Sequence, residues 1–168
     1  TASTSQTACA AGTYQPSTGQ ASCIDADAGY YVPTTAASSQ IACSVGTYQP
    51  STGQASCIDA DAGYYVPSDG SATQTPCAIG TYQPATGQSS CIDADAGYYV
   101  DNTSAISQTP CPHGTYQPLT GQSSCVDASA GHYVSTSAAT SQTLCPHGTY
   151  QPLTGQSSCV DASAGHYV

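Results

Sequence analysis

Ten cysteines set the metre of this chain. Cys9, Cys43, Cys77, Cys111 and Cys145 recur at one constant step, and Cys23, Cys57, Cys91, Cys125 and Cys159 keep the same step. The residues between them repeat as well, as C-x-x-G-T-Y-Q-P-x-T-G-Q-x-S-C-[IV]-D-A-x-A-G-x-Y-V. A fixed period of this length means a stack of small units that bury a core only against their neighbours, not a globule around one site.

Each repeating unit, such as Cys9 to Ala42, is itself doubled. CAAGTYQPSTGQASCID (Cys9 to Asp25) aligns with ADAGYYVPTTAASSQIA (Ala26 to Ala42) at seven places. Ala26 stands where Cys9 stood, and Gln40 where Cys23 stood. Losing both cysteines together is what two bonded residues do. Two register-preserving pairings join neighbours. One is Cys9–Cys23 and its copies, the other Cys23–Cys43 and its copies. The first is favoured by the paired loss and the shorter loop, which would contribute about 3 kcal/mol per bridge on the chain-entropy model.

The expected organisation is a tail of a preceding repeat at 1–8, then repeats at 9–42, 43–76, 77–110 and 111–144, and an incomplete repeat at 145–168. The chain thus reads as a window on a longer array, with no capping repeat in view.

Composition closes off several functions. The chain has no Lys, Arg, Glu, Met, Trp or Phe, and ten Asp give it a net charge of −10. Nothing can neutralise phosphate, so nucleic-acid binding is excluded, as is attraction to anionic lipid. No apolar run can cross a membrane. Large aliphatics are too few for one sizeable core, so disulfides and 13 regularly placed Tyr are the expected substitute. Low charge and abundant Ser, Thr, Gly and Pro also mark disordered chains, but disorder does not need cysteines and tyrosines at fixed spacing.

The fold class expected is small all-β: disulfide-stapled tandem hairpins in an elongated, solenoid-like array without a single large core. Gly12 to Gln15 reads as a strand, Pro16 to Gly19 as a turn, and Gln20 to Cys23 as the return strand. Gly29 to Val32 reads as the matching strand of the second half, followed by a looser turn. Hairpins this small need neighbours. Tyr14, Tyr31, Tyr48, Tyr65, Tyr82, Tyr99, Tyr116, Tyr133, Tyr150 and Tyr167 are expected to pack between them.

The pattern C-x-x-G-T-Y-x-x-x-T-G-x-x-x-C resembles the cysteine-rich repeats of the ephrin-receptor-like family. It is also similar to the first, single-bridge module of tumour necrosis factor receptor ectodomains. The resemblance implies pairing of the two cysteines within a module. In that family a further cysteine usually follows the second after two residues. Here Ala26, Ala60, Ala94, Ala128 and Ala162 occupy that place, which halves the disulfide density. Repeats of this type occur in large extracellular proteins.

Candidate sites are weighed against plainer roles. Asp25 and Asp27, with copies Asp59/Asp61 and Asp93/Asp95, offer two carboxylates per repeat, whereas calcium wants six or more oxygens. In the last units Ser129 and Ser163 replace the second Asp. These are read as solvated carboxylates. His113, His132, His147 and His166 lack a second ligand at close spacing, and C-x13-C supplies no zinc knuckle, so no metal or other cofactor is expected. No nucleophile elbow is present, and no enzyme activity is expected. Asn102-Thr103-Ser104 is an N-glycosylation sequon. Thr18, Thr52, Thr86, Thr120 and Thr154, at the turns, are candidate O-glycosylation sites.

The function expected is structural: an extracellular or cell-surface fibre, filament or stalk, glycosylated and self-associating into a polymer. The alternative is an adhesive or glycan-binding extracellular module. Strand edges without Lys leave chain-to-chain contact open.

Overall fold

The computed structural model describes residues 5–168, so the expected tail at 1–8 falls partly outside the described residues. Among the described residues every regular element is a two-residue strand in a two-stranded antiparallel hairpin. Five hairpins lie in cysteine-bearing segments. They pair Thr13–Tyr14 with Ile24–Asp25, Thr47–Tyr48 with Ile58–Asp59, and Thr81–Tyr82 with Ile92–Asp93. Thr115–Tyr116 pairs with Val126–Asp127, and Thr149–Tyr150 with Val160–Asp161. Four hairpins alternate with them: Tyr30–Tyr31 with Ile41–Ala42, Tyr64–Tyr65 with Thr75–Pro76, Tyr98–Tyr99 with Thr109–Pro110, and His132–Tyr133 with Thr143–Leu144. These are called here Cys hairpins and Ala hairpins.

The return strands differ from the expected ones. Gln20 to Cys23 is bent chain, and the strand follows the cysteine at Ile24–Asp25. The segment read as a looser turn closes its own hairpin at Ile41–Ala42. Gly12 and Gly29 are turn residues rather than strand residues, with φ of 88° and 85°. Thr13 N–H donates to Ala10 O and Tyr30 N–H to Asp27 O, so each glycine occupies the third position of a tight turn. That position takes positive φ in a type II turn, which glycine adopts without a Cβ penalty.

The chain forms two compact units. One comprises the described residues up to Pro76 together with Ala85–Cys91; the other comprises Cys77–Pro84 and Ile92–Val168. Within each, consecutive hairpins are joined by the same backbone bonds. In the first unit Gly12 N–H donates to Val32 O (2.8 Å) and Gln15 N–H to Ala37 O (3.0 Å). Ala36 N–H donates back to Cys9 O, whereas Ala26 N–H to Gly12 O extends the ladder of its own hairpin. In the second unit Gly97, Val100 and Gly121 make the corresponding bonds between hairpins, to Gln117, Gln122 and Ala94, and Cys111 extends its own hairpin onto Gly97. The backbone groups that such short strands leave over are thus satisfied by the neighbouring hairpin.

The core is built of small and medium side chains. Cys43, Cys77, Cys111, Ala26, Ala60, Ala94 and Ala128 are fully buried, as are Val32 and Val66. Two positions alternate. Cysteine and alanine share one; Val32, Gln49, Val66, Gln83, Val100, Gln117, Val134 and Gln151 share the other, all of them buried. The tyrosines flank this core. Tyr14, Tyr31, Tyr48, Tyr65, Tyr82, Tyr99, Tyr116 and Tyr133 are half-buried, whereas Tyr150 and Tyr167 are exposed. Tyr82 packs against the cluster Ala94, Val100 and Ala105.

Candidate functional site

The Cys hairpins are closed by disulfides. Cys9 bonds Cys23, Cys43 bonds Cys57, Cys111 bonds Cys125 and Cys145 bonds Cys159, with Cα atoms 5.7 or 5.8 Å apart. The remaining two, Cys77 and Cys91, are disulfide-bonded too. A glutamine, half-buried at Gln15 and buried at Gln49, Gln117 and Gln151, holds the loop that the bridge closes. Gln49 Nε2 donates to Ser56 O (2.8 Å), and its Oε1 accepts from Ser51 N–H (3.1 Å). Gln117 and Gln151 repeat this. Both ends of the amide are used, and among the described residues no buried side-chain nitrogen or oxygen lacks a partner. At the loop apex, Gln54 Nε2 donates to the Thr52 carbonyl, leaving the Thr52 side chain exposed.

The Ala hairpins replace the bridge with a polar clasp. Gln40 Oε1 accepts from Asp27 N–H (2.7 Å), and Gln40 Nε2 donates to Asp27 Oδ2 (2.6 Å). Gln74 and Gln108 hold Asp61 and Asp95 in the same way. Where Ser129 replaces the aspartate, Gln142 keeps only the backbone half. Gln40 stands at the alignment position of Cys23, so the staple is kept while its chemistry changes. The sequence carried that signal, but an Asp and a Gln at opposite ends of a loop do not announce a pair.

Glycine contacts sort the hairpins into two columns. A Cβ built on Gly12 would lie 2.2 Å from Gly53 O, and one on Gly46 2.2 Å from Gly87 O. In the second unit, Gly80 meets Gly121 and Gly114 meets Gly155 in the same way. Each of these pairs joins the loop regions of successive cysteine-bearing segments. Gly29 against Gly70 and Gly97 against Ala138 join successive Ala hairpins. Within a unit, therefore, like stacks on like. The two columns expose partly different chemistry. Ile24 (44%), Ile58 (44%), Ile92 (44%), Val126 (46%) and Val160 (49%) are exposed on the return strands of Cys hairpins. The Ala hairpins place Ile41 (47%), then Thr75, Thr109 and Thr143, at the equivalent position, with Leu144 also exposed.

The other candidates separate. Asp27, Asp61 and Asp95 are engaged in clasps, whereas Asp25, Asp59, Asp93 and Asp127 lie beside Gly53, Gly87, Gly121 and Gly155 of the next Cys loop. Among the described residues, no group of three or more His, Cys, Asp or Glu could hold a metal ion. His113 Nδ1–H donates to Ser135 O (2.7 Å), a packing role. Asn102 is exposed, in a turn whose Ser104 has a φ of 57°. Thr18, Thr52, Thr86, Thr120 and Thr154 are exposed. By contrast, the Thr47, Thr81, Thr115 and Thr149 hydroxyls donate to carbonyls near the start of the same turn. No helix is long and apolar enough to cross a membrane among the described residues.

A family model for tyrosine-protein kinase ephrin type A/B receptor-like repeats matches residues 63–109 and again 97–145. Over residues 63–145 the chain carries ephrin-receptor-like cysteine-rich repeats. Each match takes in both an Ala hairpin and a Cys hairpin. No curated protein matches the chain in sequence. The ephrin-receptor-like repeats here are a series of stapled hairpins, with the family's further cysteine replaced by the buried alanines Ala26, Ala60, Ala94 and Ala128.

Proposed function

We propose that this chain is a non-catalytic structural array of an extracellular or cell-surface protein, built to extend as a fibre, filament or stalk. The observation that carries this reading is the repeated bonding between neighbours. Within each unit consecutive hairpins share one set of backbone hydrogen bonds, and every group that could do chemistry recurs instead of converging. The repeating unit is the pair of hairpins that begins at each first cysteine. Disulfides in such number persist in an oxidising compartment, which supports the location. Copies associate into a polymer through their half-buried tyrosine faces. Asn102 and the loop threonines Thr18, Thr52, Thr86, Thr120 and Thr154 carry glycans, all of them being exposed.

The test is electron imaging of native material together with its intact mass before and after chemical deglycosylation. Ordered polymers, with mass above that of the sequence which deglycosylation removes, support the reading. Discrete particles at the mass of the bare chain sink it.

A further inference from the structure

We propose that two copies of this chain exchange strands through their Ala hairpins, so that the first strand of one copy pairs with the return strand of the other. Three observations lead there. First, the disulfides confine opening to these hairpins. Cys9–Cys23, Cys43–Cys57, Cys111–Cys125 and Cys145–Cys159 each close within one Cys hairpin, so those loops stay shut while oxidised. The Ala hairpins contain no cysteine. Their strands are held by hydrogen bonds: a short ladder, and a clasp such as Gln40 on Asp27.

Second, backbone strain sits in the same hairpins. One turn position carries Gly19, Gly53, Gly87, Gly121 and Gly155 in the Cys hairpins, at φ of 69–75°. In the Ala hairpins it carries Ala36, Ser104 and Ala138, at φ of 54–57°, and glycine only at Gly70. A residue with a Cβ is disfavoured in that region. Third, exchange rebuilds almost every contact. The chain before the turn of one copy meets the chain after the turn of the other. Both copies carry the same residues, so the ladder, the clasp and the bonds between hairpins outside the turn re-form, and the disulfides stay within their own chains. Only the turn changes. It runs straight from one copy to the other and releases Ala36, Ser104 or Ala138 from positive φ. The bond from Ala36 N–H to Cys9 O, or its copies from Ser104 to Cys77 and Ala138 to Cys111, passes to water. Exchange of identical elements is a low-cost route to a dimer, and short loops under strain invite it. This exchange does not depend on association through tyrosine faces.

The experiment is refolding of the full chain from urea at high concentration, without reductant, followed by dilution and sedimentation. A dimer should form, persist on dilution, and return to monomer only when unfolded and refolded dilute. The variant A36G/S104G/A138G, which relieves the turns, should lower the dimer association constant about tenfold. Adding G70A to that variant strains one turn again and should bring the constant back to within about threefold of the parent chain. A Cβ there meets only the Tyr30 side chain, at an ordinary 3.5 Å. Stapling all four Ala hairpins, with A26C/Q40C, A60C/Q74C, A94C/Q108C and A128C/Q142C combined, should leave monomer alone. These are the alignment positions of Cys9 and Cys23. If the stapled chain does not fold, the glycine series decides. No dimer from the parent chain, a dimer that dissociates at once on dilution, a dimer that survives stapling, or one constant across the glycine series would each overturn the exchange. Polymers in native samples bear on none of these outcomes.

Discussion

Replacing Gly46 with alanine tests how closely the columns stack. Gly46 has a φ of 81°, so any side chain there meets the left-handed penalty of about 1–2 kcal/mol. Its new Cβ would also lie 2.2 Å from Gly87 O and 2.9 Å from Gly87 C. Both are backbone atoms of the next Cys loop, and neither can move without disturbing the Gly87 N–H bond to Ala60 O. Separating the two loops, or giving up one or two bonds worth about 1 kcal/mol each, brings the expected cost to about 3 kcal/mol or more. Gly53→Ala is the control. Its φ is 69°, but the nearest atoms to a built Cβ belong to the Asp25 side chain at 3.5 Å, an ordinary contact. The equivalent turn position already holds Ala36, Ser104 and Ala138 at φ of 54–57°. Gly53→Ala should therefore cost about 1 kcal/mol. Urea unfolding of the oxidised proteins, followed by circular dichroism, gives the comparison. If Gly46→Ala falls within the error of Gly53→Ala, the close approach of the loops is wrong.

Gln74→Ala should cost about 1–2 kcal/mol, because it strips both the Asp61 amide and its carboxylate of a partner. Gln142→Ala should cost less, since Ser129 supplies only an amide; double-mutant cycles with Asp61→Ala and Ser129→Ala separate the terms. Removing the Cys43–Cys57 bridge as C43A/C57A should cost about 3 kcal/mol. Grafting the clasp instead, as C43A/S44D/C57Q, should recover at least about 1 kcal/mol in the same unfolding assay. Thr115→Val should lower stability by about 1 kcal/mol through its lost bond to Pro112 O, while Thr120→Val should leave the midpoint unchanged.

The hairpin class was readable because Cys9, Gly12, Tyr14 and their copies keep one spacing, and spacing is what a repeated fold must preserve. What the sequence concealed were choices made between segments. The G-T-Y-Q run reads as a strand from its first residue, yet Gly12 sits in the turn closed by Thr13 N–H on Ala10 O and gives its own N–H to Val32 O of the next hairpin. No local pattern contains that contact. The return strand slips past Cys23 because Gln15 Nε2 ties down Ser22 O and keeps the preceding stretch as loop. Tyrosine is the largest apolar side chain here, yet it is only half-buried and flanks the core instead of filling it. The space at the centre suits Val32, Val66 and the alanines. Of the candidate site residues, the aspartates looked alike in sequence, and only the position of Gln40 beside Asp27 tells a clasped carboxylate from an unclasped one.

Gly46 meeting Gly87, and Gly29 meeting Gly70, also bear on how a gene for such a chain can change its length. Unequal exchange between near-identical repeats adds or removes DNA in whole periods. Inserting one complete pair of hairpins returns every glycine to a carbonyl of its own column, and every aliphatic to its own face, so no contact is rebuilt. Inserting a single hairpin would preserve the backbone bonds, which both kinds share, but would transpose the two columns from that point onward. The disulfides would then cross into the column of clasps. Length is free to drift in this architecture; sidedness is inherited only when hairpins are gained or lost in pairs.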